Sequence, residues 1–152
     1  ETFVTRKITS AIGRIFHGSK EILYLGNLDA KRNWGDAEDY IKSMWLMLQQ
    51  KKPDDYVIAT GKSYSVRKFV EEAFNTIKVK ISWKGNGLNE VGYDAKSNRT
   101  YIKISKIYFR PSEVYELKGN SDKARKILKW KPKIEFKEMV KKMVLNDIEK
   151  FK

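Results

Sequence analysis

Residues 25–50, LGNLDAKRNWGDAEDYIKSMWLMLQQ, join a glycine-bounded loop to the clearest helical pattern of the chain. Asp36 fits the N-cap position, and the acids at 38 and 39 fall in the first turn, where the helix dipole favours negative charge. We therefore predict a helix that follows the cap at Asp36 and is closed by Pro53, with its apolar stripe in the core and a loop with two cations before it. The stripe recurs with helical spacing at Ala37, Tyr40, Ile41, Met44, Trp45 and Leu48.

The flanking sequence mixes helical and strand-like patterns without internal repeats. Further helices are predicted over residues 2–17, after a cap at Ser65, from a cap at Ser121 to about Leu128, and over 136–151. Strands are predicted at 21–26, 56–61, 78–85 and 99–105. We expect residues 56–61 to be buried and the glycine- and asparagine-rich residues 85–98 to form a loop. The pattern indicates one α/β domain over residues 1–152.

The composition excludes several kinds of site. The 152-residue chain has no cysteine and a single histidine, His17, which excludes disulfides, thiolate metal sites and multi-histidine metal sites. No apolar run reaches the roughly 18 residues that a membrane span needs, and the first ten residues lack the apolar segment of a signal peptide. We expect a cytoplasmic protein without a membrane partner.

The charge favours anionic partners. The net charge is +13, and 32 Lys and Arg residues outnumber 19 Asp and Glu residues. Such an excess steers nucleotides, nucleic acids or acidic surfaces toward the protein. Most of these cations are lysines, which are also typical of a solvated basic face. A single-stranded nucleic acid stacking on Tyr101, Tyr108 and Phe109, between Lys103 and Lys106, stays open as an alternative.

Two arginines are candidates for phosphate recognition, because a guanidinium can donate two hydrogen bonds to one phosphate. Arg32 lies in the loop before the predicted helix, and Arg110 is fixed between Phe109 and Pro111. Glu113 follows three residues later, where its carboxylate can accept hydrogen bonds from both hydroxyls of a ribose beside the phosphate. Ordinary surface arginines would look the same in sequence, so both interpretations remain open.

The sequence lacks the motifs of several catalytic and cofactor sites. It contains no G-x-G-x-x-G, no phosphate-binding Walker loop, no G-x-S-x-G and no H-E-x-x-H. The stretch GNGLNEVG (85–92) has Glu90 in place of a third glycine and precedes a predicted strand, so it is rejected as a dinucleotide loop. Neither a cofactor-binding residue nor a catalytic residue is predicted.

Seven stretches, covering nearly the whole chain, occur together in a specific order. They are FVTRKI (3–8), LGNLDAKRNWGDAEDYIKSMWLMLQQ (25–50), PDDYVIATG (53–61), SVRKFVEEAF (65–74), NEVG (89–92), YFRPSEV (108–114) and WKPKIEFKEMV (130–140). In this order and at these separations they resemble the C-terminal part of the GDP-mannose 4,6-dehydratase family, which belongs to the extended short-chain dehydrogenases/reductases. The resemblance implies the α/β substrate-binding part of such an enzyme, without most of its Rossmann sheet.

The resemblance also implies a function. The family converts GDP-mannose to GDP-4-keto-6-deoxymannose, using a tightly held NADP that removes a hydride from C4 and returns it at C6. Its dinucleotide loop and its catalytic residues belong to an N-terminal half whose stretches do not occur in this sequence. The chain is therefore expected to supply the GDP-sugar-binding half of a lyase and to be inactive alone. A basic nucleic-acid-binding or structural module on a remnant scaffold is the alternative.

Carried over position by position, the resemblance assigns site residues. Val4 and Lys7 correspond to the guanine region, Arg32 and Arg110 to the diphosphate, and Glu113 to the ribose hydroxyls. Lys31 is left to the solvated surface. The implied partners are GDP-mannose or a related GDP-sugar, an N-terminal NADP-binding half in trans, and further copies in the family's oligomers.

The chain departs from the family at two places. The family usually reads K-R-D-W-G-H-A-K-D-Y where this sequence has KRNWGDAEDY (31–40), and GRC where it has GYD (92–94). The first change makes the surroundings of Arg32 more acidic. The resemblance further implies that residues 56–61 belong to the edge of a sheet in the missing half, which leaves a flank that needs a partner.

Overall fold

The computed structural model describes residues 3–152. Five helices and seven strands follow one another along them, with one short 3₁₀ turn at Gly87–Asn89. In chain order these elements are α1 (Val4–Phe16), β1 (Leu23–Leu25), β2 (Lys31–Arg32), α2 (Ala37–Leu48), β3 (Tyr64–Ser65), α3 (Val66–Thr76), β4 (Ile81–Lys84), β5 (Val91–Asp94), β6 (Thr100–Ile104), β7 (Glu116–Leu117), α4 (Asp122–Ile127) and α5 (Phe136–Lys150). The mixed α/β class predicted from the sequence is confirmed.

The larger sheet has the strand order β1-β6-β5-β4. β1 and β6 run parallel, with Leu23 opposite Ile102 and Leu25 opposite Ile104, whereas the other two pairings are antiparallel. The prediction that residues 85–98 form only a loop was wrong, because β5 lies within them. A glycine at its centre hid this strand: a Cβ at Gly92 would lie 2.8 Å from both the Trp83 ring and the Ile102 side chain.

The smaller sheet consists of three two-residue strands in the order β3-β2-β7. β2 lies in the middle, antiparallel to β3 and parallel to β7, so that Arg32 is opposite both Tyr64 and Leu117. Sequence periodicity cannot reveal strands this short. Their consequence is local, because the two neighbouring strands fix the backbone that carries Arg32.

The main core forms where α1, α3 and α5 pack against one another and against the larger sheet. Ile8, Phe69 and Val140, one from each helix, are completely buried. The helices α1 and α5 cross closely at Gly13, where a Cβ would lie 2.8 Å from the Asp147 carbonyl oxygen. The carboxylate of Asp147 is buried and forms an ion pair with Arg6. Such pairing is what a buried charge requires.

Helix α2 begins after Asp36 as predicted and ends at Leu48, a few residues before Pro53, but the prediction that its apolar stripe lies in the core was wrong. Ile41, Met44, Trp45 and Leu48 are all exposed, with Leu48 reaching 81%. The helix instead turns its polar side inward, where the Asp39 carboxylate accepts the N–H groups of residues 133 and 134 at 2.9 and 3.0 Å. Periodicity identifies an apolar face without identifying what covers it, and no element among residues 3–152 covers this one.

Residues 56–61 form no strand, and their predicted burial was also wrong, since Ala59 is buried while Val57 is 55% exposed. The segment is anchored at Thr60, whose N–H donates to Asn33 Oδ1 at 3.0 Å. No backbone–backbone hydrogen bond joins residues 56–59 to any other part of 3–152. A strand requires a neighbouring strand, and the described part of the chain offers none at this place.

The remaining predicted elements agree with the structure to within a few residues. The strands β1, β4 and β6 lie inside the predicted ranges, and α3 begins after Ser65, whose side chain accepts the Lys68 N–H. The helix predicted over 2–17 is α1, and residue 2 lies outside the described residues. Among residues 3–152, no helix combines the length and the apolar character needed to cross a bilayer.

The same substitution at two helical methionines tests this distribution of burial. Met139 in α5 is 4% exposed in the main core, whereas Met44 in α2 is 60% exposed. We expect Met139→Ala to lower the free energy of unfolding by about 2–5 kcal/mol, because it leaves a cavity. Met44→Ala should change it by less than about 0.5 kcal/mol. Urea unfolding followed by circular dichroism measures both, and equal losses would contradict the exposed position of α2.

Candidate functional site

A cavity of about 230 Å³ opens where α1, β2 and the segments after β1 and β6 meet. All five residues that the sequence singled out line it. Its complete lining comprises Val4, Lys7, Leu25, Gly26, Asn27, Ala30, Arg32, Val66, Tyr108, Arg110 and Glu113. The fold thus brings together residues that are up to 109 positions apart in the chain. Their role in binding stays a prediction.

The parallel pairing of β1 with β6 explains why distant segments meet. The carboxyl ends of parallel strands reach the same edge of a sheet, so residues 26–32 and 105–113 emerge side by side. The ladder continues one step past the strands, where the Ser105 N–H donates to the Leu25 carbonyl at 2.8 Å. The first turn of α1 then contributes Val4 and Lys7 from the opposite wall.

Gly26 permits the two segments to approach each other. A Cβ at this position would lie 2.1 Å from the Tyr108 carbonyl oxygen, a distance at which the backbone itself has to move. Any side chain here would therefore push the segment 105–110 away from β1 and open the cavity wall. The sequence offered a signal that we did not use: a glycine directly after an apolar strand often marks close backbone approach.

Arg32 is held by partners within the protein. Its guanidinium donates to Glu113 Oε1 at 2.7 Å and to the carbonyl oxygens of Val114 and Lys31, both at 2.8 Å. The Arg32 and Glu113 side chains are only 27% and 20% exposed, so this ion pair is shielded from solvent. A side chain with this many bonds is pre-oriented toward the cavity. The neighbouring Lys31 is exposed, as predicted.

Arg110 contrasts with Arg32. Its side chain is exposed at the cavity rim, and within residues 3–152 its guanidinium forms no hydrogen bond or ion pair. Its backbone, however, is held firmly: the amide of Asn27 bonds to both the N–H and the carbonyl of Arg110. All five N–H donors of Arg110 are thus available to an anion in the cavity.

An aromatic ring forms the wall next to Lys7. The Lys7 ammonium lies 3.4 Å from the centroid of the Tyr108 ring, the distance of a cation–π contact. The only role predicted for Tyr108 from the sequence was in a possible stacking face for nucleic acid. That face does not form as predicted, because Tyr101 is buried against Phe74 in the main core. A flat ring and a cation at one wall suit a planar, polar ligand.

A third arginine near the cavity is fully engaged. Arg67 forms ion pairs with Asp29 and Glu90 and lies over the Trp83 ring, 4.8 Å from its centroid. Burial lowers the pKa of Arg67, but the hydrogen bonds that Arg67 donates to Glu90 and Asp29 raise it by more than burial lowers it. The pKa of Arg67 is therefore raised overall. Arg67 therefore remains cationic and braces the region behind the cavity, while Arg110 remains open to a ligand.

Comparison with known proteins places the chain in a family. The family model described as GDP-mannose 4,6 dehydratase matches residues 1–143. A GDP-mannose 4,6 dehydratase of Dictyostelium discoideum is 54% identical over 151 residues, which are 99% of this chain and 42% of the relative. One from Drosophila melanogaster is 50% identical over 149 residues, which are 98% of this chain and 38% of the relative.

A solved structure shares the fold. RMD from Pseudomonas aeruginosa, determined in complex with NADPH, superimposes with a TM-score of 0.77 at 16% sequence identity. The superposition covers 98% of this chain and 43% of RMD. The chain thus spans about two-fifths of the length of the proteins that it matches. About half of its residues are identical to those of these relatives, over nearly its whole length, and the family model matches most of it. The chain therefore belongs to the GDP-mannose 4,6-dehydratase family.

Proposed function

We propose that this chain is the GDP-sugar-binding part of a GDP-mannose 4,6-dehydratase, a lyase that forms GDP-4-keto-6-deoxymannose. The observation that carries the proposal is one cavity lined both by the Arg32–Glu113 ion pair and by Arg110, whose guanidinium has no hydrogen-bond partner among residues 3–152. A nucleoside diphosphate presents the complementary groups, namely phosphate oxygens beside two ribose hydroxyls. The family membership of the chain supports the same ligand.

Each cavity group has a chemical role in this proposal. The planar fork of Arg110 donates to two oxygens of the diphosphate, and Arg32 adds a second cation whose direction is already fixed. The second carboxylate oxygen of Glu113 accepts from the ribose hydroxyls, since Oε1 is occupied by Arg32. Val4 and Lys7 meet the guanine, for which the Tyr108 ring offers a flat neighbour. The net charge of +13 steers the anionic ligand toward the site.

The proposal assigns binding, and not hydride transfer, to these residues. A nicotinamide dinucleotide requires a glycine-rich turn between a strand and a helix. Within residues 3–152, three strands lead into an α-helix: β2 into α2 through NWGD (33–36), β7 into α4 through KGNS (118–121), and β3 directly into α3. None of these connections has more than one glycine, so none carries a glycine-rich turn. The residues present thus do not fit NADP, which we assign to the other part of the full-length relatives. The isolated chain therefore binds a GDP-sugar without converting it.

The exposed face of α2 and the unpaired segment 56–59 support a complementary half in trans. The apolar side chains at 41, 44, 45 and 48 form a continuous uncovered stripe. Residues 56–59, which pack on the same small cluster as α2, form no hydrogen bond with any other backbone group of residues 3–152. A partner that adds a strand there and an apolar surface over α2 satisfies both. We assign this role to the NADP-binding half of a relative, in a cytoplasmic oligomer.

Removing the free cation tests the binding site. Arg110→Ala is expected to weaken GDP binding by roughly 1.5–3 kcal/mol, the contribution of a hydrogen bond to a charged group. Isothermal titration calorimetry measures the affinity. Lys106→Ala is the matched control, because it removes the same charge from an exposed position in the same segment outside the cavity lining.

Two results would contradict the binding proposal. One is unchanged GDP affinity in Arg110→Ala, and the other is an equal loss in Lys106→Ala, which would mean that only the overall charge matters. Equal competition by a generic single-stranded DNA would favour the nucleic-acid alternative, whose affinity falls steeply with salt.

Complementation tests the division of labour between the two halves. Purified chain with GDP-mannose and NADP is expected to yield no 4-keto product, and addition of the separately expressed N-terminal half of the Dictyostelium discoideum relative should restore product. Leu48→Glu should abolish that rescue, because it puts a charge on the docking stripe, which would have to lose its hydration on docking.

The control for complementation is Leu145→Glu, which places the same charge on another leucine, 49% exposed on α5 and not part of the α2 stripe. This variant should be rescued like the unmodified chain. Product from the chain alone would overturn the proposed inactivity, and equal rescue of both variants would overturn the assignment of the α2 stripe.

A further inference from the structure

We propose that Asn27 is the positioning residue that aims Arg110 at the diphosphate, an inference that rests on the proposed GDP site. Asn27 follows β1 and Arg110 follows β6, 83 positions later in the chain. Asn27 Nδ2 donates to the Arg110 carbonyl at 2.9 Å, and the Arg110 N–H donates to Asn27 Oδ1 at 2.8 Å. One side-chain amide thus satisfies both backbone polar groups of the residue.

These two hydrogen bonds extend the pairing of β1 with β6 beyond the ends of the strands, with a side-chain amide in place of a peptide group. Beyond Ser105, whose N–H bonds to the Leu25 carbonyl, both segments become irregular, and no backbone–backbone hydrogen bond joins residues 26–30 to residues 106–114. The amide of Asn27 has the same donor and acceptor as a peptide group, and it bonds to Arg110 as the backbone of a neighbouring strand would. The contact between the segments is therefore extended to the residue that carries the free guanidinium.

Among residues 3–152, no other hydrogen bond reaches Arg110 itself. The Arg110 guanidinium has no partner among residues 3–152. The position of the side chain therefore depends on the backbone of Arg110 alone. The segment before it is tied at Ser105, which accepts the N–H groups of Tyr108 and Phe109 at 3.1 and 2.9 Å. After it, Pro111 fixes one backbone dihedral by its ring. Asn27 is the link between the Arg110 backbone and the rigid sheet.

The position of the guanidinium matters because a bidentate bond to a phosphate tolerates little displacement. Without Asn27, the Arg110 carbonyl and N–H would turn to solvent and the segment 106–112 would sample other conformations. Each conformation that points Arg110 away from the cavity lowers the population that is competent to bind. The loss would concern the phosphates and leave recognition of the base and the ribose in place.

A double-mutant cycle tests this inference. Asn27→Ala is expected to weaken binding of GDP about tenfold, since the contact it spoils is a charge-assisted hydrogen bond. In the Arg110→Ala background the same substitution should have little further effect, because its target is gone. Binding of guanosine, which has no phosphate, should be equal in all four proteins. Calorimetry supplies every affinity.

The outcomes separate this inference from the proposed function. Failure of the unmodified chain to bind GDP, or unchanged affinity in Arg110→Ala, overturns the proposed function itself. If Arg110→Ala weakens GDP binding but Asn27→Ala does not, only the role of Asn27 is overturned. Additive losses would mean that Asn27 contacts the ligand directly, and a parallel loss of guanosine binding would mean a merely structural role.

Two further variants guard against loss of the fold. Asn27→Ser keeps a neutral polar group in the solvent-accessible loop but is too short to reach both backbone groups of Arg110, so it should show the same coupling with Arg110→Ala. Asn146→Ala removes the same amide from an exposed position on α5 and should leave GDP affinity unchanged. Thermal unfolding of each variant verifies that it is folded when its affinity is measured.

Discussion

The parallel register between β1 and β6 is the constraint on which the rest of the structure depends. Leu23 and Leu25 are buried while Tyr24 between them is exposed, so a shift of one residue would expose both leucines. The same register places the residues after β1 opposite those after β6. Core packing and assembly of the cavity are therefore decided by one pairing, and neither can change without the other.

The two arginines of the cavity differ in how the fold treats them. Arg32 lies in a strand between two others, and its guanidinium is bonded to Glu113 and to two carbonyl oxygens. Arg110 lies in an irregular segment with a free guanidinium and a fixed backbone. In the proposed site, Arg32 is already oriented by its partners within the protein, and Arg110 would form its hydrogen bonds with the ligand. In such a site, binding would restrict the already held Arg32 side chain very little. This small loss of conformational entropy offsets the larger loss at the Arg110 side chain.

Local sequence patterns predicted the elements that depend on local interactions. The bounds of α2 followed from its cap and its period, and α5 from its apolar repeat. The errors concern long-range contacts. The apolar stripe of α2 predicted burial, but nothing among residues 3–152 covers it. Residues 56–61 have strand-like composition and no neighbouring strand, whereas β5 has a central glycine and two neighbours.

The site shows the same division. The chemistry of arginine and glutamate, together with the family resemblance, singled out Arg32, Arg110 and Glu113 before any geometry was known, and the fold brings them to one cavity. Asn27 escaped notice because its hydrogen bonds are with Arg110, 83 positions later in the chain. No pattern within a short window contains that information.

The cavity and the uncovered surfaces belong to different parts of the core. Leu25 and Val66 of the cavity wall are members of the main core, which α1, α3, α5 and the larger sheet enclose together. The α2 helix and residues 56–59 rest instead on a small separate cluster around Trp130, Ala124 and Leu128. That cluster buries few side chains, so covering the α2 stripe would add proportionally more to its stability, at about 25 cal/mol per Å² of apolar surface removed from water. The proposed nucleotide site therefore belongs to the larger core, and the proposed docking surface belongs to the smaller cluster.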